Sequence, residues 1–234
     1  EALPLEERAL AVTEAALGSD HPTTAIRLGN LAGTLGGLGR RAEALPLEER
    51  ALAVTEAALG SDHPTTAIRL GNLAGTLGGL GRHVEALPLE ERALAIAEAA
   101  LGSEHPATAI RLGNLARTLN ELGRHVEALP LEGRALAVTE AALGSEHPTT
   151  AIRLGNLATT LGELGRHVEA LPLEERALAV AEAALGSDHP ATAIRLGNLA
   201  TTLGGLGRHV EALPLEERAL AVAEAALGSD HPAT

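Results

Sequence analysis

Between Glu43 and Leu59 the apolar positions Leu47, Ala51, Val54 and Ala58 recur at helical spacing, flanked by Leu45, Leu52 and Leu59. Between Thr65 and Leu80 a second stripe runs through Ala67, Leu70, Leu73, Ala74, Leu77 and Leu80. Spacing of i, i+3, i+4 and i+7 gives a helix one apolar face, so both segments predict helices that must lean on neighbours. Polar and special residues mark the ends. Pro46 is expected in the first turn of the earlier helix, where a missing N–H costs nothing. Gly60 is expected as its C-cap, Ser61 or Asp62 as the N-cap ahead of Pro64, and Gly81 as the close of the second helix. Connections this short make neighbouring helices antiparallel.

The same hairpin returns along the whole chain. Segments of 42 residues begin at Glu1, Glu43, Glu85, Glu127, Glu169 and Glu211, and the first two differ only at Arg41 versus His83 and Ala42 versus Val84. A fixed period of this length is the mark of a solenoid, in which one unit cannot bury its own apolar face and stacks on the next. Independent domains of that size would be too small for a core without disulfides or metal. The pattern predicts an all-α solenoid of antiparallel hairpins with eleven helices, six of the Glu-Ala-Leu-Pro kind and five of the His-Pro kind.

Composition narrows the chemistry. The 234 residues are 45% hydrophobic with no Phe, Trp, Tyr, Cys or Met, so the core is Leu, Ala, Val and Ile. A net charge of −13 argues against nucleic acid, and the lack of aromatics removes any stacking platform. No apolar run approaches the length a membrane helix needs, and no leader-like segment opens the chain, which begins at Glu1 like an excised fragment. No catalytic residues, cofactor or metal site are expected. The glycine-rich stretch 33–39 follows a helix start and lacks Lys; Ser19 and its copies sit in a capping loop. Glu48 and Glu49 are expected on an exposed helix, pointing to different faces. His21, His63, His105, His147, His189 and His231 each precede Pro. Copies about 10 Å apart cannot share one ion, so helix entry is the expected role.

The string His63-Pro64-Thr65-Thr66-Ala67, Leu70-Gly71-Asn72-Leu73-Ala74, Leu77, Gly81-Arg82, Glu85-Ala86, Pro88-Leu89, Arg92-Ala93-Leu94 and Leu101-Gly102 resembles the tetratricopeptide repeat. It is most similar to the 42-residue variant of kinesin light chains and many bacterial repeat proteins. The resemblance implies a right-handed superhelix, with the His-Pro segment as helix A and the Glu-Ala-Leu-Pro segment as helix B. It frames one solenoid over 1–234: a helix B at 1–18, hairpins at 21–60, 63–102, 105–144, 147–186 and 189–228, and a truncated helix A start at 231–234. Helices A would line a concave groove and helices B a convex wall. The chain departs from the family pattern where Leu28, Leu35 and their copies replace aromatics. It departs again where Glu48 and its copies stand in a slot often aromatic, and where His83, His125, His167 and His209 stand where Tyr is common. Gly29, Gly71, Gly113, Gly155 and Gly197 replace the first of two Asn.

The expected function is a non-catalytic protein- or peptide-binding scaffold, with a structural, self-assembling array as the alternative. Asn30, Asn72, Asn114, Asn156 and Asn198 form the expected contact row, since a carboxamide both donates to and accepts from a peptide backbone. By resemblance, the matching Asn in family members often does this. The copies differ mainly along one helix-A stripe, where Arg117, Asn120 and Glu121 are the most decorated positions. Helix B of the second period carries a net charge of −3 and its helix A with the trailing loop +1, which favours an acidic or carboxylate-bearing peptide. Four interior glycines in each of the first two helices A predict a looser N-terminal half. The uncapped opening and closing helices predict an end-to-end or domain-swapped homo-oligomer. A cytoplasmic location and a GC-rich bacterial source complete the expectation.

Overall fold

The computed structural model describes residues 2–227. Its helices are α1 Ala2–Leu17, α2 Pro22–Gly37, α3 Arg41–Leu59, α4 Pro64–Gly79, α5 His83–Leu101, α6 Pro106–Glu121, α7 His125–Leu143, α8 Pro148–Glu163, α9 His167–Leu185, α10 Pro190–Gly205 and α11 His209–Leu227. These are the eleven expected helices, and no strand occurs among the described residues. The expected helix A start at 231–234, with His231, lies outside them. The chain divides into two compact units, the first carrying α1–α6 and the second α7–α11, with the boundary between Leu122 and Gly123.

Of the even-numbered helices, α2, α4, α8 and α10 each lie between two odd-numbered helices of their own unit. In the first unit, Leu73, Ala74 and Leu77 of α4 pack on Ala86 and Leu89 of α5 and on Leu45 and Leu52 of α3. In the second, Leu199, Ala200 and Leu203 of α10 pack on Ala212 and Leu215 of α11 and on Leu171 and Leu178 of α9. Alanines with 0% exposure (Ala44, Ala86 and Ala170) stand at the close crossings, where a larger side chain would push the axes apart. This solenoid of antiparallel hairpins confirms the fold class read from the period.

The turns differ in detail from expectation. His63, not Ser61 or Asp62, caps α4: its backbone is extended and its Nδ1 accepts a hydrogen bond from the Thr65 N–H at 3.1 Å. Proline at the next position fixes the helical φ. Thr66, with 0% exposure, donates its hydroxyl to the Gly60 carbonyl at 2.8 Å and ties the turn to the helix. Gly60 itself adopts φ 95°, which side-chain-bearing residues rarely reach. At the other turn Leu80 is the C-cap, and the Arg82 N–H donates to the Leu77 carbonyl at 2.9 Å around the positive φ of Gly81.

Pro46 is the sixth residue of α3 instead of a first-turn residue. The Arg40 carbonyl already accepts from the Glu43 and Ala44 N–H groups, so the helix is under way before Glu43. The missing Pro46 N–H leaves the Ala42 carbonyl to solvent at an exposed position, where the loss is mild.

Three of the four interior glycines of α2 have no packing role. A Cβ on Gly33, Gly36 or Gly37 would meet no atom within 4 Å. Alanine at all three should raise unfolding free energy by ~1.5–3 kcal/mol in total, through helix preference alone. Hydrogen exchange should slow across 31–38 in that variant; unchanged exchange would count against this account.

Candidate functional site

The buried stripe of each even-numbered helix fixes what its other face presents. In α4, Leu70, Leu73, Ala74 and Leu77 point inward. Ile68, Asn72, Gly75 and Gly79, at i, i+4, i+7 and i+11, then share the outer stripe. Ile68 is 48% exposed, and its equivalents Ile26, Ile110, Ile152 and Ile194 are similarly open. A half-exposed isoleucine beside a carboxamide is therefore the repeating surface motif.

Successive stripes enclose pockets. In the first unit a pocket of 310 Å³ is lined by Gly29, Ala32, Gly33 and Gly36 of α2, Arg41 and Glu48 of α3, and Asn72, Gly75 and Thr76 of α4. In the second, one of 270 Å³ is lined by Ala158, Thr159, Gly162 and Glu163 of α8, His167 and Glu174 of α9, and Asn198, Thr201 and Thr202 of α10. Eight of the nine positions in each set are the same repeat positions; Gly29 in the first and Glu163 in the second are the exceptions. Among the described residues, the Asn72 and Asn198 carboxamides make no hydrogen bond to protein, which leaves both their donors and acceptors for a ligand.

The floor of each pocket is a buried carboxyl. Glu48, Glu90, Glu132 and Glu174 are at most 3% exposed, which corrects the expectation of an exposed Glu48. The reason is register. Glu48 shares the buried stripe Ala44, Ala51 and Thr55 of α3, at spacings of four, three and four residues. Burial pushes each of the four carboxyls up to about 7, opposed by the guanidinium of the following hairpin: Arg69 for Glu48, Arg111 for Glu90, Arg153 for Glu132 and Arg195 for Glu174. The same burial lowers the Arg values, and the paired Glu raises them.

This pairing explains why glycine replaces the family's first Asn. The Arg69 guanidinium occupies the space a Cβ on Gly29 would need, and Arg111 and Arg195 do the same at Gly71 and Gly155. A guanidinium lodged against a glycine, in the electrostatic field of a buried carboxyl but not hydrogen-bonded to it, recurs between hairpins. On the opposite wall, Arg50–Glu14, Arg92–Glu56, Arg176–Glu140 and Arg218–Glu182 ion pairs of 2.6 Å join successive odd-numbered helices within a unit. They are partly exposed and contribute ~0–1 kcal/mol each.

The predicted contact row falls as follows. Asn30 and Asn72 are exposed on α2 and α4; Asn114, Asn156 and Asn198 are half-buried on α6, α8 and α10. Asn72 and Asn198 line the pockets, as do the variable positions Gly33, Gly75, Thr159 and Thr201. Arg117 and Glu121 are exposed on α6 and Asn120 is half-buried there. The isoleucine row and the buried glutamates were missed. Both were readable from spacing: Ile26 stands four residues before Asn30, and Glu48 lies on the alanine stripe.

His21, His63, His105, His147 and His189 cap helices, each Nδ1 accepting the N–H two residues on. No cluster of three or more metal-ligating side chains occurs among the described residues, and no helix there is long and apolar enough to cross a membrane.

Stacked hairpins that repeat the same mixed stripe define a helical repeat scaffold. The chain belongs to the tetratricopeptide repeat family, whose model matches residues 1–57, 30–99, 79–141, 119–183 and 154–225. It is similar in structure to the kinesin-light-chain-like protein of Podosopora anserina, built of nearly identical TPR-like repeats. Identity is 30% over 89% of this chain and 99% of that one, with a TM-score of 0.78. BtubC (BKLC) from P. vanneervenii shares the fold at 21% identity and TM-score 0.80, over 98% of this chain and 92% of that one. YrrB, a TPR protein with an unusual peptide-binding site, aligns at 19% identity and TM-score 0.57, with 92% of each chain covered. No curated protein sequence matches the chain. The family is typically one of scaffolds for protein–protein interaction.

Proposed function

We propose that the chain is a non-catalytic scaffold whose even-numbered helices hold an extended peptide within each unit. The observation that carries this reading is the repeated pairing of a half-exposed isoleucine with an Asn whose carboxamide is free to bond a ligand, beside an open pocket. An apolar anchor and a bidentate amide at each hairpin suit a peptide backbone with side chains pointing alternately down and out. The acidic-ligand expectation loses its footing, because Arg69 and its copies are drawn in beside buried glutamates instead of standing free on the groove surface.

A second reading has its own observation. Val12 of α1 is 61% exposed, whereas the equivalent Val54 of α3 is 6% exposed under its hairpin partner. Self-association through that face would make the chain a structural array.

One experiment separates the two. A library of extended peptides is panned against the wild-type chain and against Ile68→Ser/Asn72→Ala and Asn72→Ala/Asn114→Ala variants, with each preparation weighed by light scattering. Peptide capture should fall at least tenfold in the variants while mass stays unchanged. Capture indifferent to those changes, with mass that rises with concentration and drops in Val12→Asp, would favour the array.

A further inference from the structure

The pocket between α8 and α10 has a counterpart, two repeats earlier, that the chain fills with one of its own side chains. Eighty-four residues before Thr201, Glu174, His167 and Gly162 stand Arg117, Glu90, His83 and Gly78. There Nη1 of Arg117 lies 3.8 Å from where a Cβ on Gly78 would be, as does Nδ1 of His83. Glu90, with 0% exposure, thus lies in the electrostatic field of two guanidiniums, Arg111 and Arg117, although neither of its carboxyl oxygens has a hydrogen-bond partner.

Glu174 faces only one, Arg195, whose guanidinium is tucked against Gly155. Thr201 is too short to supply the other. Oε2 of Glu174, at 1% exposure, and Nδ1 of His167 have no hydrogen-bond partner, as is also true of Glu90 and His83 in the earlier pocket, so what differs between the two is the guanidinium of Arg117. Glu163 stands at the rim where the earlier pocket has Gly79. The hydroxyls of Thr159 and Thr201 donate to the Gly155 and Gly197 carbonyls, which leaves their oxygens as acceptors. Acceptors therefore converge on a 270 Å³ space.

We propose that the α8–α9–α10 pocket receives a guanidinium or ammonium group on a basic side chain of the bound peptide, in the place that Arg117 fills from within two repeats earlier. The inference rests on the peptide-groove reading and adds the charge of the ligand. The match is one of charge: a cation there lies in the field of the buried carboxyl, as Arg117 does beside Glu90, and its binding favours the ionised form of Glu174. Thr201 and Arg117 then act as the open and closed forms of one position.

The test is an amide chemical-shift titration of the 15N-labelled chain with Ac-Gly-Arg-Gly-NH2, its citrulline isostere and methylguanidinium. The arginine peptide should shift Asn198, Thr201 and Gly205 and bind at least tenfold more tightly than the citrulline peptide, which keeps donors and loses the charge. Thr201→Arg, which copies a residue the fold already carries at 117, should abolish the shifts, and Glu174→Gln should weaken them about tenfold. Equal affinity for the arginine and citrulline peptides, or shifts that survive Thr201→Arg, would overturn the cation pocket. An uncharged peptide that binds as tightly as the arginine peptide, with Asn198 dependence, yet ignores Thr201→Arg would overturn it while leaving the groove reading intact. Methylguanidinium binding as tightly as the tripeptide would instead remove the peptide from the proposal.

Discussion

The melting temperature of this chain is expected to fall as pH rises from 5 to 8. Glu48, Glu90, Glu132 and Glu174 hold their protons until about pH 7, because burial disfavours their charged forms more than the neighbouring Arg favours it. In the unfolded chain the same groups ionise near 4.5. The stabilisation from keeping them neutral is complete below the unfolded value, declines between about 4.5 and 7, and is gone above that. At 1.4 kcal/mol per pKa unit, the loss is on the order of 1–3 kcal/mol per site after allowance for relaxation of the Arg partner. The exposed Arg40–Glu43 pair and its copies lower their glutamates instead, so they act in the opposite sense below the ordinary carboxylate range and leave this window alone. Thermal melts at several pH values would show the slope, and Glu→Gln at all four positions should flatten it. A wild-type midpoint that is level or rising from pH 5 to 8 would refute the account.

The second large effect comes from the core. Leu70 has 0% exposure and packs with Ala67, Ala93, Ile96, Leu52 and Leu89. Leu70→Ala should cost ~2–5 kcal/mol, toward the upper end because Ala67 and Ala93 have no reach to fill the void and no aromatic ring stands nearby to tilt into it. Ile68→Ala, two residues away on the outer stripe, should change stability by no more than about 0.5 kcal/mol. Urea denaturation of the two variants provides the comparison. Equal midpoints would mean that the inward and outward stripes of α4 are wrongly assigned.

Much of the site was within reach of spacing arguments, and the failures are instructive. The Asn row was found because carboxamides stand out beside an apolar stripe. The isoleucines were passed over because an apolar residue is presumed inward, although Ile68 is out of phase with Leu70, Leu73 and Leu77. Glu48 was placed on the outside because it is charged, although position outranked charge: four residues after Ala44 and three before Ala51, it could only go inward. The histidine caps were half-read. Their place ahead of Pro indicated helix entry, while the identity of the capping atom required the turn's geometry.

Period, phase and apolar spacing are local properties of the chain, and they alone set the helix count, the antiparallel hairpins and the aliphatic core. Whether a guanidinium from one hairpin reaches the carboxyl of the hairpin before it depends on how closely two helices approach, and on the absent Cβ at Gly29 that lets Arg69 in. Such contacts join residues about twenty to forty positions apart, where no periodicity on either helix encodes the distance between them. The lodging of the guanidinium against glycine, its electrostatic pairing with the buried carboxyl, and the pockets above them were therefore decided by tertiary packing.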